Sequence, residues 1–163
     1  MSTSASTQQT GLLSHPARLY GVLALAEAVT WTLLLLGMLG KYVLDLGELG
    51  VRIGGGLHGF VFLAYCLVTL LVAIDQRWSP GLLVLGWVSA VVPYATIPFE
   101  RYADRRGLLA DRWRLRTDAP AGPVERIAAT ALRHPLPAVL VGLVAVALVF
   151  TGLLAAGPPT QWF

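Results

Sequence analysis

Between Leu19 and Leu39 the chain carries one charged side chain, Glu27, and three further stretches are as apolar, at about 54–74, 80–98 and 136–156. A bilayer-spanning helix needs about 20 largely apolar residues, and each of these blocks meets that length. The apolar residues come in runs rather than in alternation, which excludes half-buried strands. Only 13% of the 163 residues are charged and 56% are hydrophobic, whereas a soluble domain carries about a quarter charged residues. The mean hydropathy of +0.68 agrees. The sequence therefore predicts an all-α membrane protein with four transmembrane helices.

The order along the chain is a polar tail over 1–15, expected to be disordered, then three spans over 16–102. An arginine-rich loop at 103–135 leads to the fourth span and a short tail at 136–163. The first 14 residues lack a basic n-region, so the first span reads as an uncleaved signal-anchor. Eleven arginines stand against one lysine, which with the many Ala, Gly, Leu and Val residues reads as the bias of a GC-rich bacterial genome. With four continuous spans, Arg18 and Arg77 fall on one side, and Lys41, Arg52 and eight arginines between 101 and 133 on the other. The positive-inside rule then predicts a multi-pass protein of the bacterial inner membrane. The 99–135 loop is cytoplasmic in this reading and both termini lie outside.

The loop has an organisation of its own. Around Trp113, the residues Arg105, Arg106, Arg112, Arg114 and Arg116 form a basic-aromatic patch suited to anionic lipid head groups. The charges lie beside apolar spans, which argues against nucleic acid as the partner of a chain with net charge +3. From Pro123 to His134, Val124, Ile127, Ala128, Ala131 and Leu132 fall on one helical face. That pattern predicts a short cytoplasmic helix lying along the membrane interface, with a solvated linker helix as the alternative. "TDAPAGP" before it reads as a flexible hinge.

Charged groups inside a bilayer are costly and call for an explanation. Glu27 sits about 12 Å into the first span at 1.5 Å per residue. The polar groups expected at its depth are Thr30, Trp31, Tyr65 and Ser89. His58, about one turn into the second span, is assigned to the cytoplasmic mouth with Lys41, Arg52, Glu100 and Arg101, so a direct Glu27–His58 pair is not expected. Two readings of Glu27 stand side by side, a proton- or cation-relay residue and a neutral acid that ties helices together. Pro93 is expected to kink the third span, with Pro98 closing it. Gly55 and Gly59 form a GxxxG that, with Phe62, admits a neighbouring helix. No metal site is expected from three dispersed histidines and the lone Cys66, and no cofactor. No Ser-His-acid grouping suggests hydrolase chemistry, and "RIGGGLHG" lacks the lysine and Ser/Thr of a phosphate-binding loop.

"RLYGVLALAEAVTWTLLLLGMLGKYVL", "VRIGGGLHGFVFLAY" and "VVPYATIPFE" resemble the YdzA-like family of small bacterial integral membrane proteins. The resemblance covers about residues 16–102 and rests on Glu27, Lys41, Tyr42, His58, Gly59, Pro93 and Glu100. Tyr94 and Ala95 depart from it, standing where the family has Phe-Gly. It implies a three-helix membrane domain of unknown function and no activity. The expectation is a non-enzymatic accessory or oligomeric membrane component, with another membrane protein or further copies of itself as partner. A small proton- or ion-coupled transporter centred on Glu27 is the alternative, and a lipid-acting enzyme the third reading.

Overall fold

The computed structural model describes residues 11–156, and over these the chain is helical with no strand. Six α-helices follow a 3-10 turn at Leu12–Ser14: α1 (Pro16–Tyr42), α2 (Leu49–Asp75), α3 (Pro80–Val91), α4 (Thr96–Arg105), α5 (Pro123–Arg133) and α6 (Pro135–Ala156). Four of them begin on a proline, whose fixed φ and missing amide suit the first helical position. At α3 the preceding Ser79 caps the helix, its hydroxyl accepting from the Leu82 amide at 3.3 Å. Arg77, in the left-handed region at φ 54°, ends α2. Among the described residues, α1, α2 and α6 are long and apolar enough to cross a membrane.

α1 and α2 form an antiparallel hairpin closed by a short turn over 43–48. Its seam is held at backbone distance by glycine. A Cβ on Gly37 would lie 2.5 Å from the Gly50 carbonyl, and one on Gly54 would lie 2.8 Å from Leu33 O. The close crossing thus uses Gly37, Gly50 and Gly54 rather than the expected Gly55–Gly59 pair. Gly59 serves α6 instead, with the Phe150 ring 3.0 Å from where its Cβ would sit. Because Gly59 meets Phe150 and Leu67 meets Gly142, α6 runs antiparallel to α2. Pro16 and Ala156 therefore lie at opposite ends of the bundle, correcting the expectation that both termini share one side.

The expected third span is not one helix. α3 stops after 12 residues, about 18 Å of rise, too short for a hydrocarbon core of about 30 Å. Val92 before Pro93 is extended (φ −95°, ψ 124°), as the proline ring requires of its predecessor. Tyr94 adopts φ 64°, which turns the chain back. Pro98 does not close the segment; it sits in the first turn of α4, where its missing amide costs nothing. The hairpin leaves from and returns to one end of the bundle. Trp78, just before α3, packs edge-on against Phe99 of α4 at 6.0 Å, and its indole donates to Leu108 O at 2.9 Å. The tip reaches the middle of α1, where Trp31 donates to Ala90 O at 3.2 Å. Thr32 meets the Tyr94 hydroxyl there at 3.2 Å. Pro93 therefore marks a re-entrant turn rather than a kink.

One end of the bundle now collects Arg18, Arg77 and the whole 101–133 segment, and the main core lies beneath that segment. Tyr20, Phe99, Leu109, Trp113, Leu115 and Leu132 are buried together there. The predicted tail is ordered from residue 11 onward. Leu13 O accepts from both Trp113 Nε1 (2.9 Å) and Arg116 Nη2 (3.0 Å), and His15 Nδ1 lies 2.9 Å from Asp111 O. The rest of that tail, residues 1–10, and the C-terminal tail at 157–163 lie outside the described residues.

Candidate functional site

Asp75 organises the loop at the basic end. It closes α2, is fully buried, and accepts from the Leu115 amide at 2.8 Å and the Arg114 amide at 3.1 Å, with Gln76 Nε2 as a further donor. Arg114 in turn donates to Asp75 O (2.7 Å) and to Glu125 Oε1 (2.8 Å). Arg116 holds Leu132 O, and Arg133 holds Leu115 O and Asp118 O. The segment read as a flexible hinge is thus tied from both ends. Glu125 Oε2 accepts the Ala121 amide at 2.7 Å, and that bond, helped by Arg114, holds the Glu125 carboxyl below its usual range. Of the five arginines expected to meet lipid head groups, Arg114 and Arg116 are committed to the protein. Arg105, Arg106 and Arg112 remain exposed, with the Arg106 guanidinium 5.4 Å from the Tyr102 ring.

The cluster expected at a cytoplasmic mouth does not form. Lys41 and Glu48 pair at 2.8 Å at the turn between α1 and α2, and the hydrogen bond from Lys41 holds the Glu48 carboxyl below its usual range. Arg52 belongs to that same end. Glu100 and Arg101 lie on α4 toward the opposite, basic end, where Glu100 Oε1 sits 3.4 Å from the position of a Cβ on Gly21.

His58 joins neither group. Its Nδ1 lies 3.7 Å from Glu27 Oε1, overturning the expectation that depth separates the two. The physical reason is register. α2 begins at Leu49, so His58 is more than two turns inside it, and the Gly37–Gly50 and Leu33–Gly54 contacts slide α1 down to meet it.

Around this pair the bundle places a graded set of polar groups. Thr30 Oγ1 donates to Glu27 O at 3.0 Å and lies 3.4 Å from His58 Nδ1. The Trp31 indole packs on the imidazole with centroids 4.2 Å apart, while its nitrogen is spent on Ala90 O. The Glu27 carboxyl is completely buried, and neither of its oxygens has a hydrogen-bond partner among the described residues.

Tyr65 and Ser89 lie on the basic-end side of this pair and belong to a different network. Tyr65 meets Ser89 Oγ at 3.2 Å and the Tyr20 hydroxyl at 2.6 Å, and Thr69 donates to Tyr20 at 3.2 Å. Thr96 of α4 adds a bond to Ala24 O at 3.1 Å. In an apolar surround such bonds contribute about 1 kcal/mol each, and they fasten α1, α2, α3 and α4 to one another. Tyr20, Thr69 and Thr96 escaped the sequence reading. Tyr65 and Thr69, four residues apart and hence on one face of α2, were the available signal.

Among the described residues no group of three or more His, Cys, Asp or Glu could hold a metal ion. Cys66 is free and its carbonyl accepts from Trp87 at 3.1 Å.

Comparison with known proteins agrees with this architecture at the level of location. A Streptomyces coelicolor protein named as a "putative membrane protein" is 43% identical over 106 residues, 64% of this chain. The match spans 12% of that relative's own length. No solved structure matches. Residues 17–105 match the family described as "Domain of unknown function (DUF3817)", a stretch that holds α1 to α4 with the Glu27–His58 pair. The apolar helices and this relative place the protein in a membrane, and the chain belongs to the DUF3817 family.

Proposed function

We propose that the chain is a non-enzymatic component of the bacterial inner membrane whose working form is an assembly, with further copies of itself or as an accessory to another membrane protein. The observation that carries the reading is the tip of the re-entrant hairpin. Val92 and Tyr94 are 50% and 45% exposed, in non-helical backbone level with the middle of α1. Lipid tails cannot hydrogen-bond to irregular backbone, so at that depth it must be buried in protein or line a wet cavity. A neighbouring protein surface meets that requirement. The resemblance to YdzA-like membrane proteins over residues 16–102 belongs to the same reading.

In this arrangement the basic end, with Arg18, Arg77 and the eight arginines of 101–133, faces the cytoplasm. Arg105, Arg106 and Arg112 then reach anionic head groups. The three long helices cross the membrane and α3–α4 enters it from the cytoplasmic side.

Blue-native electrophoresis in mild detergent tests the assembly, together with cross-linking through Val92→Cys in a Cys66→Ala background. The expected result is a discrete multimer or a co-purifying partner joined through residue 92. A strictly monomeric, uncross-linked species overturns the proposal.

A second reading, a small proton- or ion-coupled transporter, is favoured by one observation, the 3.7 Å approach of His58 to the buried Glu27. Liposome flux comparing the parent with Glu27→Gln decides it. Equal flux from both, or none from either, removes that reading.

A further inference from the structure

We propose that Glu27 and His58 form a proton-exchange site inside the bundle, in which a proton passes between carboxyl and imidazole. The proposal stands apart from transport, because a pair can bind and release a proton without conducting it across the membrane.

The argument begins with what surrounds the carboxyl. Glu27 is 0% exposed and both its oxygens lack hydrogen-bond partners among the described residues. A buried carboxylate with no donors is costly, and inside a bilayer it needs a counter-charge. The ionisable groups of every packed element narrow the choice. On α1 the nearest is Tyr20, bonded to Tyr65. On α2 are His58, Cys66 and Tyr65, the last of which is bonded to Tyr20 and Ser89. α3 and α6 contain no acidic, basic, His, Cys or Tyr side chain. Glu100 of α4 lies beside Gly21, nearly two turns away along α1. Among the described residues no lysine or arginine forms an ion pair with Glu27, and His58 is the group placed to supply a positive charge.

His58 is held for that task. Its ring lies against Trp31 at 4.2 Å, with Phe62 at 6.2 Å, so the imidazole stays in place while its nitrogens change protonation. The 3.7 Å between Nδ1 and Oε1 is about half an ångström beyond hydrogen-bond range, which a small rotation of either side chain closes. Thr30 Oγ1, 3.4 Å from Nδ1, has lone pairs to receive the Nδ1–H once the proton has passed to the imidazole.

In the forward step the Glu27 O–H bond breaks and an Nδ1–H bond forms. A carboxylate beside an imidazolium results, with no change in net charge. The imidazolium then releases its Nε2 proton to water. The His58 side chain keeps 12% exposure against none for Glu27, so exchange with the surroundings passes through the imidazole.

The test uses the full chain in detergent micelles, where occupancy is read without any gradient. Infrared difference spectra across pH follow the protonated carboxyl of Glu27, identified by its loss in Glu27→Gln. Nitrogen NMR of ¹⁵N-histidine protein follows His58, with His15→Asn and His134→Asn removing the other two signals. In the parent the two signals are expected to change over the same pH interval. Their coupling is lost in Glu27→Gln, and in His58→Gln the pH-dependent amplitude of the carboxyl band disappears. A Glu27 band that never changes while the protein stays folded overturns the proposal. So does one that titrates identically in His58→Gln. If His58→Gln does not fold, a His58 signal in the parent that titrates over a different interval from the carboxyl band overturns it equally.

Discussion

Gly54 shows how much one hydrogen atom in place of a side chain decides here. A Cβ at this position would lie 2.8 Å from Leu33 O and 3.0 Å from Leu34 Cα, atoms that cannot move without shifting α1. Gly54→Ala is therefore expected to lower stability by about 1–3 kcal/mol, the usual range for overpacking a tight interface, read as earlier thermal unfolding in detergent. Gly56→Ala, where nothing lies within 4 Å, is the control and should leave the transition in place or raise it slightly, since alanine favours a helix interior over glycine. Because the same crossing sets the register that brings His58 to Glu27, Gly54→Ala should also disturb the coupled titration of that pair. Asp75 is the second decisive residue. Asp75→Asn replaces one carboxylate oxygen by a donor and leaves a buried backbone amide of Arg114 or Leu115 unpaired, at a cost of about 1–3 kcal/mol. Hydrogen exchange at those two amides should quicken while the Gly37–Gly54 seam stays protected.

At the scale of elements, the loop from Gly107 to His134 behaves as a docked unit rather than a tether. Its attachment carries a pH dependence with a definite sign. The Glu125 carboxyl is held below its usual range by the Ala121 amide and by Arg114. Its contribution is therefore complete above the ordinary glutamate value of about 4.3 and is lost as pH falls below that value through the depressed one. Acidification across that window should loosen the loop, seen as faster amide exchange around Ala121 and a change in Trp113 emission. Glu125→Gln removes this share of the pH dependence; an unchanged profile in that variant would refute the assignment. α3 and α4 show a different lesson. "PGLLVLGWVSAVVPYATIP" is uniformly apolar, and hydropathy reads it as one span. Pro93 and Val92 allow the break, but the bonds of Trp31 to Ala90, Tyr94 to Thr32 and Thr96 to Ala24 fold the two halves back.

For the whole molecule, that reversal changes which ends share a side. A continuous third span puts the 43–48 turn and the 101–133 loop on one face of the membrane. The hairpin folded back at Pro93 puts them at opposite ends of the bundle. Asp45→Cys and Asp118→Cys, each in a Cys66→Ala background, should be labelled by an impermeant maleimide from opposite sides of oriented vesicles. Labelling from the same side would restore four continuous spans. The tally of ten basic residues against two survives the change, with Arg18 and Arg77 exchanging places with Lys41 and Arg52. The basic end remains unmistakable although Pro16 and Ala156 now lie at opposite ends of the bundle.

The division of labour between sequence and tertiary structure follows from range. Long charge-free runs determined a helical membrane protein, because only hydrogen-bonded helices or closed barrels satisfy backbone groups in lipid and the runs lack strand alternation. Pro123 and an amphipathic pattern announced α5, since both signals act within a turn or two. Glu27 stood out for the same local reason. What local pattern could not supply was register. The placing of α1 against α2 depends on three glycines brought together from 13 to 17 residues apart, and that placing made His58 the neighbour of Glu27. The reversal at Pro93 depends on bonds to α1 spanning some 60 to 70 residues. Hydropathy is blind to both, because an apolar residue scores alike whether its helix crosses the bilayer or turns back halfway.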